Sequence, residues 1–258
     1  NRRMSQHSTT AASREDSGQS QTIKAILGLR GMIIEGQLKP GERVLEQMVV
    51  DKLGVSRTPA RTAIIRVCEE GLIEMLPNGG YAVATFSEAD VFDAIAIRGN
   101  LEGMAARLAA ERGVPRATML RLERCVLELD RVVEELAETG EVTDYVKYND
   151  LFHELLIEAA QSTMLRKSLA RITALPFAAP NSFVKMSYGG PTETLRILQI
   201  SQEQHRSILD ALKNRESARA EALTQEHSRS AWKFLKAVFE KEAELPNYSA
   251  LQWIAQQP

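Results

Sequence analysis

The run Gly54-Val55-Ser56-Arg57-Thr58-Pro59-Ala60-Arg61 constrains this chain of 258 residues more than any other feature. It predicts a helix that stops at Gly54, a tight turn, and a second helix capped by Ser56. Pro59 is compatible with that second helix only in its first turn, where no intrahelical N–H is lost. Gln47 to Leu53 forms the short apolar helix before the turn, so the pair makes a helix-turn-helix with Ser56 to Glu70 as its second member. Ala60, Ala63, Ile64 and Val67 follow the helical period, which leaves Arg57, Thr58, Arg61 and Thr62 on or near the opposite face. Two guanidinium groups so placed can reach base edges in the major groove of duplex DNA. Leu72 to Leu76 then reads as a strand, Pro77-Asn78-Gly79-Gly80 as a hairpin turn and Tyr81 to Ala84 as the returning strand. A two-stranded wing follows the recognition helix.

Charge limits how such a head grips DNA. Thr22 to Ala84 carries eight Lys/Arg against seven Asp/Glu, so a broad electrostatic footprint is excluded. Specificity must come from a few base contacts, each arginine–guanine pair contributing about 1–3 kcal/mol of discrimination. The whole chain has a formal charge of -2 and is 44% apolar and 26% charged, the composition of a globular protein with room for two domains. Cys68 and Cys125 lie inside helical patterns without metal or redox spacing, which points to reduced core thiols. No run of eighteen apolar residues occurs, and no apolar stretch follows Arg2-Arg3, so a soluble cytoplasmic protein without membrane segments is expected. Residues 1–19, rich in Ser, Thr and Gln, have the composition of a disordered arm. A boundary is expected near Phe86-Ser87, giving an arm over 1–19, a DNA-binding domain over 20–85 and a second domain over 86–258.

The second domain reads as helical throughout. Helices are expected near Glu88–Arg112, Arg116–Glu138, Thr143–Ala160, Thr163–Leu175, Glu193–Lys213 and Ser217–Lys241, broken at Pro115, Gly140, the Pro176-to-Pro191 stretch and Asn214. The fold class is therefore mainly α: a winged helix-turn-helix followed by an all-helical bundle of six or seven helices, large enough to enclose a cavity. Asn149 and His153, four apart, share one helix face. His205 and His227 are twenty-two apart, about 33 Å along one straight helix at about 1.5 Å per residue. The chain turns near Asn214 to Ser217, however, and an antiparallel hairpin folded there brings both rings to the same height. Imidazoles with an oxygen ligand suit zinc, nickel or another first-row divalent ion, leaving open positions; ordinary partly buried histidines are the plainer alternative. Arg98 shares a face with Ala94, Ile95 and Leu101, so its charge needs a partner inside the bundle, either Glu102 one turn on or the carboxylate of a ligand. Phe177, Phe183, Met186 and Tyr188 mark the Pro176-to-Pro191 stretch as a packed connection or a flap, and Trp232, Phe234, Phe239 and Trp253 as packing aromatics.

From about Thr22 to Ala84 the chain resembles the winged helix-turn-helix of the GntR family of bacterial transcription regulators. Leu29-Arg30, Ile33, Gly36, Leu38, Pro40-Gly41, Leu45-Glu46, Leu53 to Pro59, Arg61, Gly71-Leu72 and Pro77-Asn78 carry that likeness. It implies DNA contact through Ser56, Arg57, Thr58 and Arg61, and through positions Gln47 and Gly79, where the family commonly has basic residues. From about Ser87 to Phe239 the chain resembles the FCD effector domain of the FadR subgroup, through Ile97-Arg98-x-x-Leu101-Glu102, Leu108-Ala109-Ala110, Asn149-x-x-Phe152-His153, Glu203-x-His205 and His227. This likeness implies a divalent metal held by Asn149, His153, His205 and His227. Asn149 stands where relatives often have Asp, and a neutral amide binds metal more weakly and leaves one more positive charge in the site. Together the two likenesses imply a homodimeric, ligand-responsive regulator, not an enzyme, that binds a palindromic operator, and the positive charge of the metal site with that of Arg98 favours a small carboxylate as its effector. The competing readings are a metal-dependent hydrolase-like enzyme and a purely structural metal.

Overall fold

The computed structural model describes residues 8–175, 177–182, 184 and 191–239. It divides into two compact units between Ser87 and Glu88. Phe183, Met186, Tyr188 and Trp253, the first seven residues of the expected arm and the expected end of the last helix at Lys241 lie outside the described residues, as do the side chains of Phe234 and Phe239.

The first unit contains α1 (Ser8–Ile34), β1 (Arg43–Val44), α2 (Glu46–Leu53), α3 (Arg57–Glu69), β2 (Ile73–Met75) and β3 (Tyr81–Val83). Ala25, Leu29, Met32 and Ile33 of α1 are buried, as are Ala60, Ala63, Ile64 and Val67 of α3, and the two helices pack on each other. This burial is what holds the helix-turn-helix together, since α2 is far too short to be stable alone. Gly28 lets α1 approach α2 closely: a Cβ there would sit 2.7 Å from Leu53 Cδ2. Arg30 of α1 clamps Glu70 at the end of α3 with a two-pronged pair of 2.9 and 2.6 Å. The sheet has the order β1-β3-β2, all antiparallel, with Arg43 opposite Ala82 and Glu74 opposite Ala82 on the other side. The wing hairpin closes through Leu76 and Gly80, whose N–H···O bond is 3.0 Å.

Two expectations change here. α1 begins at Ser8, so residues 8–19 of the expected disordered arm are helical, continuous with a helix whose later turns are anchored in the core. Composition missed this because a polar segment can be carried as the extension of a helix nucleated elsewhere. Ser56 does occupy the cap position of α3 with extended backbone, but its side chain makes no cap bond. β1 was not expected at all, being two residues long and too short to show alternation.

The second unit consists of α4 (Glu88–Arg112), α5 (Arg116–Thr139), α6 (Thr143–Ala159), α7 (Thr163–Thr173), α8 (Pro191–Lys213) and α9 (Ser217–Phe239). Leu122, Leu129, Phe152, Leu156, Ile208 and Leu212 lie at its centre, joining α5, α6 and α8. α4 and α9 form the closest pair, because α4 presents Gly99 and Gly103 to it. A Cβ at Gly99 would lie 2.8 Å from Ser228 Cβ, and one at Gly103 would lie 2.8 Å from Gln225 Cγ. α8 and α9 form the expected hairpin. Arg215 in its turn has φ +57°, and its guanidinium donates to the carbonyls of Ala110 and Glu111 at 3.2 and 2.7 Å. Those bonds satisfy carbonyls at the end of α4 that the helix leaves open. Among the described residues no helix is long and apolar enough to cross a membrane.

Candidate metal centre and candidate DNA-facing helix

The turn between α2 and α3 depends on one backbone conformation. Gly54 has φ +61°, left-handed, and its N–H donates to Val50 O at 3.0 Å, closing α2 and redirecting the chain within two residues. Ser56, Arg57, Thr58 and Arg61 are exposed on the first turns of α3, while Pro59 and Ala60 are buried beneath them. Among the described residues neither Arg57 nor Arg61 has an intramolecular hydrogen bond or ion pair, whereas Arg66 further along is paired with Glu69. Thr62 Oγ1 turns back to Thr58 O. Gln47 is exposed but donates to Asp51 at 2.8 Å on its own helix. Gly79 stands at the wing tip with φ +86° and open space around it, so any side chain there would have room but a strained backbone. These residues share the first unit and stand on its helix-turn-helix and wing.

In the second unit, four helices converge on one buried cluster. α4 supplies Arg98 and Glu102, α6 supplies Asn149 and His153, α8 supplies His205, and α9 supplies His227. The ligating atoms of the three histidines all lie within 4.8 Å of one another. His205 Nε2 and His227 Nε2 are 3.1 Å apart. Nitrogen ligands at about 2.0–2.1 Å from a metal are separated by about 3.0 Å at adjacent corners of an octahedron and about 3.4 Å in a tetrahedron. The observed separation lies between these values.

Hydrogen bonds fix which atoms face inward. Gln202 Nε2 donates to two acceptors, Val126 O at 3.0 Å and the Asp130 carboxylate, so its Oε1 is the atom 3.1 Å from His205 Nδ1. His205 Nδ1 therefore carries the proton and Nε2 is a bare lone pair. His227 Nδ1 stands 3.0 Å from Gln204 Oε1, which also accepts from Ser230 Oγ at 3.3 Å. The bare His205 Nε2 faces His227 Nε2 at 3.1 Å, where it can accept from a His227 N–H or share a cation with that ring. Asn149 Nδ2 donates to Asn181 Oδ1 at 2.8 Å, which leaves Asn149 Oδ1 buried without a hydrogen-bond partner. An orphaned oxygen, three clustered imidazoles and the outer hydrogen bonds of His205 and His227 fit a first-row divalent ion.

Glu102 is the residue whose role sequence reasoning missed. It was weighed only as an ion-pair partner for Arg98, but its Oε1 lies 3.0 Å from His153 Nδ1 and its Oε2 accepts from Ser228 at 3.1 Å. The first contact is close without hydrogen-bond alignment, since both atoms lack a bond of good geometry. Burial pushes the Glu102 carboxyl up, yet the facing His153, and after it Arg98, hold it down at about 2. Burial, reinforced by His227 and His153, keeps His205 well below the usual imidazole range. Burial and His153 bring His227 to about 3, against the opposing pull of Glu102. At neutral pH Glu102 is charged and both these histidines are neutral, the states a metal requires. Asp150 is exposed, as its position on α6 predicts, and accepts from Asn181 at 2.6 Å.

Beside the cluster opens a cleft of about 630 Å³, counted out to its mouth, lined by Arg98, Asn149, His153 and His227 and by apolar side chains such as Ile197 and Leu198. Arg98 is buried, and its Nε has no hydrogen-bond partner.

Comparison with known proteins agrees with this division. Residues 21–83 match the profile described as bacterial regulatory proteins, gntR family, and residues 93–230 match the FCD domain. The helix-turn-helix transcriptional regulator YdhC of Bacillus subtilis is 28% identical over 219 residues, covering 84% of this chain and 91% of its own. The transcriptional repressor RspR of Escherichia coli is 28% identical over 201 residues, covering 77% of this chain and 82% of its own. Among solved structures, E. coli McbR/YncC superposes with a TM-score of 0.62 at 20% identity over 85% of this chain and 98% of its own. That likeness concerns the fold.

Proposed function

The chain belongs to the gntR family of bacterial regulatory proteins and carries the FCD domain, and from that premise we propose that it is a homodimeric, cytoplasmic regulator whose operator affinity is set by a small carboxylate. Two heads related by a two-fold axis read a palindrome through Arg57 and Arg61, with Ser56 and Thr58 positioned for phosphates and Gln47 and the wing at Gly79 flanking them. A dimer is needed because one near-neutral head with few base contacts binds too weakly. Relatives named as transcriptional repressors support control through operator occupancy.

The observation that carries the ligand half of this reading is an inventory of buried polar atoms. Among the described residues four buried side-chain atoms are without hydrogen-bond partners: Arg98 Nε, Glu102 Oε1, Asn149 Oδ1 and His153 Nδ1. Glu102 Oε1 and His153 Nδ1 face each other at 3.0 Å and offset one another electrostatically. A donor on Arg98 and an acceptor on Asn149 remain, in two residues that line the same cleft. The acceptor calls for a cation and the donor for an anion. Asn149, His153, His205 and His227 would hold a zinc, nickel or similar divalent ion. Such an ion would supply positive charge and an open position for one carboxylate oxygen. Arg98 would orient the carboxylate, and the apolar lining would exclude water from it.

A hydrolase-like role is not retained. The profiles and relatives are those of transcription regulators, and Glu102, whose carboxylate faces His153, is held at about 2 and is too weak a base to activate water.

A thermal-shift panel of small carboxylic acids, run on zinc- or nickel-loaded protein and after chelation, tests the reading. Stabilisation by a carboxylate should vanish with chelator and in Arg98→Ala. Stabilisation that survives both would overturn the ligand site, and a ligand response indifferent to chelation would leave the metal purely structural. The coupling is reciprocal, so operator selected from a random DNA library should change carboxylate affinity by the same factor as carboxylate changes DNA affinity.

A further inference from the structure

The side chain at position 149 is an amide, and an amide presents oxygen on one side and an NH2 group on the other. Rotating it by 180° would replace a metal-binding oxygen with two N–H donors aimed at a cation. Something must therefore choose the rotamer, and the histidines cannot choose it in the absence of metal. The choice is made outside the cluster, at Asn181, in the connection between α7 and α8.

Asn181 Nδ2 donates to Val146 O at 2.9 Å and to Asp150 Oδ1 at 2.6 Å. A backbone carbonyl and a carboxylate can only accept, so both contacts demand the NH2 end of Asn181. Its Oδ1 is then the atom that meets Asn149, and it can only accept as well. Asn149 must offer Nδ2, at 2.8 Å, and Oδ1 is directed away, where it is buried without a partner. The polarity runs without a break from an exposed carboxylate to the oxygen of the metal set. Gln202 repeats the device at a second ligand: its NH2 is held by Val126 O and Asp130, and its Oε1 fixes the proton on His205 Nδ1.

We propose that Asn181, held by Asp150, is the positioning residue that presets the Asn149 amide with its oxygen toward the metal, as Gln202, held by Asp130, presets His205. The inference rests on the metal reading above and adds to it the reason this chain tolerates an amide there. An Asp at position 149 would offer oxygen on both sides and would need no such selection. It would also set one carboxylate oxygen against Asn181 Oδ1, so residues 149 and 181 form a matched pair.

The test is a coupling measurement on the full chain, using zinc or nickel alone against a chromophoric chelator competitor. Asn181→Ala should weaken metal binding by about ten-fold, the lower end of what lost outer-shell partners cost. Asp150→Ala, at an exposed position, should weaken it by a smaller factor without threatening folding. In an Asn149→Asp background both losses should disappear, because rotamer choice no longer matters. An equal loss in both backgrounds would show that Asn181 merely supports the local structure, and an unchanged affinity in Asn181→Ala would also overturn the proposal. His205→Ala separates this from the underlying reading. If the native chain binds metal and His205→Ala abolishes it while Asn181→Ala does nothing, only the positioning role falls; if the native chain binds no divalent ion, both fall together.

Discussion

Replacing Glu102 by Gln changes no more than one charge at the centre of the second unit, and its cost can be worked from the structure. The carboxyl is held at about 2 against an ordinary 4.5, although burial opposes ionisation. One pKa unit corresponds to about 1.4 kcal/mol, so the surrounding groups favour the charged form over the neutral one by about 3 kcal/mol. A depressed carboxyl contributes stability that is present above its unfolded pKa and lost as pH falls through the folded one. The metal-free native protein should therefore exceed Glu102→Gln by about 3 kcal/mol at pH 7, a gap that closes between about pH 4.5 and pH 2. Urea unfolding followed by tryptophan fluorescence suits the measurement, since Trp232 lies in α9 beside Phe92, with ring centroids 5.0 Å apart. The same substitution removes the carboxylate that faces His153 Nδ1, which should weaken metal binding by about 10–100-fold. A variant within about 0.5 kcal/mol of the native protein at pH 7, with unchanged metal affinity, would refute the assignment of Glu102 as the charge that holds His153 and balances Arg98.

Other perturbations separate the remaining parts of the argument. Arg61→Ala or Arg57→Ala should lose about 1–3 kcal/mol of discrimination between operator and mismatched DNA, read by anisotropy titration at fixed salt; an unchanged specificity ratio for both would remove them from base recognition. Gly99→Ala places a Cβ 2.8 Å from Ser228 Cβ and should destabilise by about 1–3 kcal/mol through overpacking, a cost that a thermal melt equal to the native one would contradict. His205 and His227 are depressed below 6.5, so the stability they carry is full above that pH and declines below it. His227, at about 3, should by itself cost the metal-free protein about 2 kcal/mol by pH 5, with His205 acting in the same direction, and an acid profile that is flat down to pH 4 would show that the rings are not held neutral.

Spacing along the chain made much of the fold and part of the site legible. The hairpin of α8 and α9 illustrates why: two histidines twenty-two residues apart with a break midway at residue 216 can meet only if the chain reverses there. The structure turns between Lys213 and Ser217 and puts their Nε2 atoms 3.1 Å apart. The core face of α3 was equally open to reading, because Ala60, Ala63, Ile64 and Val67 obey one period and all four are buried. Glu102 was visible as a residue but not as a partner of His153. An offset of one helical turn from Arg98 is a local relation, whereas the approach of α6 to α4 depends on packing that neither segment encodes alone. The helical extension through residues 8–19 was hidden for the related reason that composition weighs a segment in isolation.

The direction in which an amide points lies further still from the sequence, and position 149 shows what that costs. Asn in place of Asp reads from sequence as a weaker ligand and nothing more. Under the proposal above it is a conditional one, whose oxygen is available to a metal only while Asn181 accepts from its NH2. That condition is set by a residue 32 positions away, itself oriented by two acceptors beside position 149 on α6, Val146 O and Asp150, of which one is a backbone atom with no sequence signature. Asn181 lies in the same connection as Pro180 and Val184, which line the cleft beside the histidines. A carboxylate that settles against this connection therefore bears on the residue that orients a metal ligand, and the reverse must hold with equal strength. Metal and carboxylate should accordingly bind with positive coupling in the native chain and with reduced coupling in Asn181→Ala, even when metal is supplied at a concentration that saturates both proteins. Equal coupling in the two proteins would mean that the cleft and the metal communicate only through the shared carboxylate oxygen, and that the amide chain takes no part.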